Sequence, residues 1–104
     1  MYVRFNKNNR TSEGYLDGDK VYLLTAPMLE GGVAGKEFVD LSSVKLLAPC
    51  EPSKVVCVGL NYKDHAAEMN EPLPTEPLLF MKPSTAVIGH LGLIVAPAHS
   101  KRLD

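Results

Sequence analysis

The chain has 104 residues, 45% of them hydrophobic and 22% charged, with a formal net charge of -1 at pH 7. That length allows one modest core, burying roughly 60 to 70% of the unfolded surface, and leaves no room for two independent domains. The near-neutral balance gives no electrostatic reason to expect nucleic acid or an anionic membrane as partner, and no apolar run is long enough to span a bilayer or to form a signal-peptide core.

Taken in order, the first fifty residues alternate short apolar stretches with turn chemistry. Tyr2 to Phe5, Gly14 to Leu16 and Val21 to Thr25 read as strands, and Asp17-Gly18-Asp19 between the last two reads as a hairpin turn, because glycine tolerates the positive φ such turns demand. The Gly-rich segment from Glu30 to Gly35 reads as loop, and Val44 to Leu47 as a further apolar run. Two prolines at Pro49 and Pro52 mark an internal boundary. The chain therefore divides into a small β-rich region, 1–49, and a second region, 50–104.

The second region opens on Lys54-Val55-Val56-Cys57-Val58-Gly59, whose unbroken β-branched character suits a strand buried on both faces of a main core, with Cys57 a buried thiol. A short helix through Ala66, Ala67 and Met69 follows, capped by Asn61 or Asp64 and ending near Asn70. Pro72, Pro74 and Pro77 fix an extended, polyproline-like connection. Leu78 to Met81 and Thr85 to Ile88 then read as strands, with Leu93 to Val95 a third. The fold class is mainly β or α+β with one short helix.

Most chemical motifs are excluded. His65, His90 and His99 match no metal-binding spacing, two cysteines are too few for a disulfide scaffold, and neither Gly-rich segment has the strand, helix and lysine of a phosphate-binding loop. What remains is Gly59-Leu60-Asn61-Tyr62-Lys63-Asp64-His65-Ala66-Ala67-Glu68-Met69, a strand running through glycine into a helical turn, where side chains can be presented on a rigid scaffold. His65 and Glu68 stand at i and i+3 on one helix face, and a carboxylate beside an imidazole raises its basicity and orients it for proton transfer. Spacing alone leaves a solvated surface pair and a catalytic pair both open.

The stretch from Lys54 to Pro97 resembles the fumarylacetoacetate hydrolase family. The residues that carry the likeness are Lys-Val-Val-Cys-Val-Gly-Leu-Asn-Tyr at 54 to 62, Asp64-His65-Ala66-Ala67-Glu68-Met69, Glu76-Pro77, and Leu79-Phe80-Met81-Lys82-Pro83-Ser84. Residues 1 to 49 look like the small β-rich N-terminal region of many members. The resemblance implies that His65 and Glu68 are catalytic and that Gly59, Asn61 and Tyr62 line the substrate pocket. It implies hydrolytic cleavage of a carbon-carbon bond in a small dicarbonyl acid, with Mg²⁺ or Mn²⁺ as cofactor and His65, steered by Glu68, activating water.

The family's metal ligands sit in an Asp-Tyr-Glu-x-Glu-like segment. Asp104 occupies its opening position and the glutamates after it do not occur in this sequence. The expectation is thus an N-terminal portion of a cytoplasmic, homodimeric enzyme, or a matrix one, with no metal bound by this chain alone and no activity of its own. Two alternatives stand beside it: a non-catalytic assembly module, and a decarboxylase or isomerase of the same family.

Overall fold

A computed structural model describes residues 1–102, so the Asp104 reading lies outside the described residues. It is β-rich with one short α-helix, the α+β class its sequence indicates. Contacts group the chain into two compact units, Met1–Cys50 together with the chain from Val87 onward, and Glu51–Ala86.

The first unit is a five-stranded antiparallel sheet of β1 (Tyr2–Lys7), β2 (Arg10–Asp17), β3 (Lys20–Leu24), β4 (Ala34–Asp40) and β5 (Lys45–Leu46), in the order β4-β3-β2-β1-β5. Two tight turns set its register. Asn8 and Asn9 both take positive φ, 51° and 62°, the type I′ pattern, and asparagine is among the few side chains that adopt it at low cost. At the second turn only Gly18 does so, at 60°, the type II′ pattern at the hairpin expected there.

Alternation then sorts the side chains by face. Val3, Phe5 and Val21 are buried, with Leu16, Leu23, Val39, Leu41, Val44 and Leu46 packed around them. On the opposite face the register lines up Tyr2, Tyr15, Tyr22 and Phe38 as direct neighbours across four strands. Tyr2 meets Tyr15 edge-on at 5.3 Å between ring centroids, and Tyr22 meets Phe38 at 5.6 Å. Such pairs contribute about 0.5 to 1.5 kcal/mol each beyond area burial. The loop reading of Glu30 to Gly35 holds only in part: a 3-10 turn spans Met28–Glu30, and β4 already starts at Ala34. The apolar Phe38 and Val39, facing Tyr22 and Val21, draw that segment into the sheet.

The second unit is an antiparallel pair, β6 (Lys54–Gly59) with β7 (Leu78–Pro83), joined by a segment that carries α1 (Lys63–Glu68). Here burial departs from expectation. The strand expected to be covered on both faces alternates half-buried and exposed, with Val56 62% and Val58 49% exposed, and Cys57 is half-buried. β6 has a single partner strand among the described residues, and unbroken β-branching reports what a strand can tolerate, not how many neighbours it has. Every residue of β7 is exposed, and Ala66 is the buried hydrophobic residue of this unit.

Two further strand expectations also fail. Ser84–Ala86 form a 3-10 turn where Thr85 to Ile88 read as strand, since Pro83 has no N–H with which to continue a ladder. Leu93, Ile94 and Val95 form no strand and pair with nothing described, at 73% to 87% exposure. The chain before them does pack: a side chain at Gly89 would lie 3.3 to 3.4 Å from the backbone of Leu46 to Ala48. No helix among the described residues is long and apolar enough to cross a membrane.

Candidate active site

The candidate site grows out of the end of β6. Gly59 pairs with Leu78, and a Cβ on it would come within 3.2 Å of the Leu78 side chain, so a close strand approach favours glycine there. Leu60 follows in the left-handed region at φ 49°, a conformation that costs an L-residue roughly 1 to 2 kcal/mol and reverses the chain sharply. Asn61 and Tyr62 lead into α1, whose first bond runs from the Ala66 N–H to the Tyr62 carbonyl at 3.1 Å.

The cap differs from expectation. Tyr62, in extended backbone, holds the N-cap position without a side-chain bond, while Asp64 lies inside the first turn. There its carboxylate complements the helix dipole instead of capping. The C-terminal end is as anticipated near Asn70. Asn70 takes φ 59°, its N–H donates to the Ala67 carbonyl, and the Glu71 N–H donates to the Ala66 carbonyl at 3.0 Å, a Schellman motif with asparagine in the left-handed position.

His65 and Glu68 both lie on α1 and both are exposed. At 100° per residue they are about 60° apart around the helix axis, on the side away from buried Ala66. They make no hydrogen bond or ion pair with each other among the described residues. Helix spacing thus places the two groups as neighbours on a face without joining them.

A cleft of about 420 Å³ opens on the other side of this junction. Gly59 and Asn61 line it, as does Lys63 at the start of α1, while Thr75 and Glu76 enter from the proline-bearing loop. Tyr62, His65 and Glu68 do not line it, and Tyr62 is 73% exposed. Of the five residues singled out in the sequence, the structure therefore brings Gly59 and Asn61 to one cleft, and His65 and Glu68 to one helix face. Lys63 sits inside the motif without a role assigned from the sequence; Thr75 carried no local signal and Glu76 only that of the resemblance, because the β6–β7 register is what returns them to the junction.

Elsewhere, a cavity of about 450 Å³ in the first unit is lined by Thr11, Ser12, Glu13 and Pro27 among others. Its one ionisable group, Glu13, already accepts the Met28 N–H. No three His, Cys, Asp or Glu side chains gather to hold a metal ion among the described residues. Asp104, the ligand position that the resemblance implies, lies outside the described residues.

Comparison with known proteins gives two family matches. Residues 54–104 match the family described as fumarylacetoacetate (FAA) hydrolase, C-terminal, and residues 1–49 match the family described as Rv2993c-like, N-terminal. An uncharacterised protein of Archaeoglobus fulgidus is 49% identical over 104 residues, covering 100% of this chain and 38% of that protein. The mitochondrial oxaloacetate tautomerase FAHD2A of Bos taurus is 47% identical over 64 residues, 61% of this chain and 20% of the relative. Among solved structures, 2-hydroxyhepta-2,4-diene-1,7-dioate isomerase from Mycobacterium marinum superposes with a TM-score of 0.65 at 26% identity, over 84% of this chain and 33% of that one. The chain spans less than half the length of each of these relatives.

Proposed function

Since this chain belongs to the fumarylacetoacetate hydrolase family, we propose that it carries the proton-transfer residues of an enzyme acting on a small dicarbonyl acid, with His65 as the group that moves the proton. The supporting observation is His65 itself, an exposed imidazole three residues before Glu68 on a helix whose two ends are held by Leu60 and Asn70 in left-handed backbone. The matching family is named for a hydrolase, and its named relatives include an isomerase and a tautomerase. Interconversion of keto and enol forms is the step most directly suited to a single imidazole.

In this reading neutral His65 takes the proton from the carbon next to a carbonyl, and the electron pair left behind moves onto the carbonyl oxygen. The imidazolium then delivers a proton to that oxygen, giving the enol, and the reverse sequence returns the keto form. Glu68 accepts the imidazole's other N–H once the two side chains turn toward each other, fixing the ring's orientation. Gly59, Asn61 and Tyr62 are the proposed substrate contacts, with the Asn61 amide able to donate to a carbonyl oxygen.

Hydrolysis is the second reading, favoured by the name of the matching family. His65 would then take a proton from water, and the hydroxide would attack the carbonyl distal to the acid. The two readings separate by product, since only hydrolysis of an acylpyruvate releases pyruvate.

The test uses the whole protein and oxaloacetate, following loss of enol absorbance. Replacing His65 with alanine should slow turnover roughly 10² to 10⁴-fold, the usual contribution of a positioned general base. Glu68→Gln should fall between that variant and wild type. Turnover by the His65→Ala protein at the wild-type rate would sink the proposal.

A further inference from the structure

Charged residues that face each other directly in the five-stranded sheet are of opposite sign among the described residues, with one exception. Arg4 stands opposite Glu13, Asp17 opposite Lys20, and Lys20 opposite Asp40. Lys7, however, stands opposite Arg10. These two close the turn at Asn8 and Asn9, so the hairpin holds their Cβ atoms about 5 Å apart, where like charges destabilise the pair. Neither side chain has a hydrogen bond or ion pair among the described residues.

Both cations line a cavity of about 350 Å³ on the core side of the sheet. Lys7 lies two residues beyond Phe5 on β1 and so on the same face. Phe5, Leu23 and Val39, all part of the packed core, give the cavity its apolar lining. Ser12, opposite Phe5, adds a hydroxyl, and no carboxylate lines it among the described residues. We propose that this cavity binds a small organic anion, an acidic head group on an apolar body. The head sits between Lys7 and Arg10, cancels their repulsion and takes the paired N–H donors of the guanidinium. The body lies against Phe5, Leu23 and Val39. An inorganic anion leaves that apolar lining wet, and a neutral apolar molecule leaves two cations facing each other.

Charge ranks the possible heads. A phosphate monoester carries about 1.5 to 2 negative charges at pH 7 and neutralises the pair, whereas a carboxylate neutralises half of it. The cavity lies within the first unit, which holds none of the residues of the proposed proton transfer. Removing either cation has two separable effects: it relieves the facing charges in the empty protein, and it takes a contact from the ligand.

The test is an amide NMR titration of the 104-residue chain, at low and matched ionic strength, with phenyl phosphate, benzoate, inorganic phosphate and benzyl alcohol. Phenyl phosphate should shift the amides of Lys7, Arg10 and Ser12. Benzoate should bind about three- to tenfold more weakly and inorganic phosphate about tenfold more weakly, and benzyl alcohol should cause no shift. The order of the two aryl anions tells a phosphate head from a carboxylate head. Lys7→Met and Arg10→Met should each weaken phenyl phosphate about three- to tenfold. Without ligand, calorimetry should find both variants melting no lower than wild type, because the facing charges are gone. Inorganic phosphate binding as tightly as phenyl phosphate would reduce the site to a plain basic surface. That result, an affinity unchanged in both variants, variants that melt below wild type, or no shift up to the solubility limit of phenyl phosphate would each overturn the proposal.

Discussion

Gly14 is where the sheet's packing admits least. It faces the core between Val3 and Leu23, and a Cβ built on it would sit 2.5 Å from Val21 Cγ1, 2.9 Å from the Tyr22 carbonyl oxygen and 3.1 Å from Phe5 Cε1. None of the three can yield cheaply: Val21 is 0% and Phe5 2% exposed, and the oxygen belongs to a paired backbone. Overpacking of this kind costs about 1 to 3 kcal/mol. Alanine recovers about 0.4 to 1 kcal/mol by restricting the unfolded chain. With three contacts at once the net for Gly14→Ala should be about 1 to 2 kcal/mol of destabilisation, which lowers the melting temperature by roughly 5 to 15 °C in a domain of this size. Tyrosine fluorescence is the natural probe, because the chain has no tryptophan and Tyr2, Tyr15 and Tyr22 all lie in this sheet. Val21→Ala should cost less in the Gly14→Ala background than alone, with a coupling of about 1 kcal/mol. A melting temperature unchanged or raised in Gly14→Ala would refute the packing described for β1, β2 and β3.

Further outcomes are expected elsewhere in the chain. Asn70→Val puts a β-branched residue into left-handed backbone and should destabilise the end of α1 by roughly 1 to 2 kcal/mol, read as faster exchange of the Asn70 and Glu71 amides, whereas Asn70→Gly should change it little. Val56→Thr should shift the urea midpoint by less than about 0.5 kcal/mol equivalent, because Val56 is 62% exposed; Phe5→Ala should cost about 3 to 5 kcal/mol. Amides of β2, paired on both sides, should exchange far more slowly than those of β6 and β7, each paired on one side.

Much of the first unit could be read from local chemistry. Asp17-Gly18 marks a hairpin because a turn is a four-residue matter, and Tyr2 to Phe5 alternates visibly. Phe38 and Val39 were hidden behind the glycines at 31, 32 and 35, whose low strand propensity is overridden by pairing with Tyr22 and Val21. Burial of Val56 and Val58 depends on what lies beside the strand, which no periodicity within it reports. The same division holds for the site. The placement of His65 and Glu68 on one helix face was legible because i and i+3 is helix geometry, while a catalytic role came from the resemblance alone; Thr75 and Glu76 line one cleft with Lys63 because Gly59 pairs with Leu78, a long-range contact with no local signature.

The unit that bears His65 is the less self-sufficient of the two. A two-stranded ribbon is marginal in water, and so is a helix of six residues. Ala66 is the one buried hydrophobic residue described between them, while Val56, Val58, Leu79 and Met81 form an exposed face of direct cross-strand neighbours. General-base chemistry needs its groups held within roughly 0.5 Å of a productive geometry. A side chain on a helix with so little beneath it does not meet that standard, which accounts for His65 and Glu68 standing near each other without a hydrogen bond. For His65 to act as proposed, two physical conditions must be met: the Val56–Met81 face must be covered so that the ribbon is fixed, and the segment from Leu60 to Pro77 must be held so that α1 keeps one orientation.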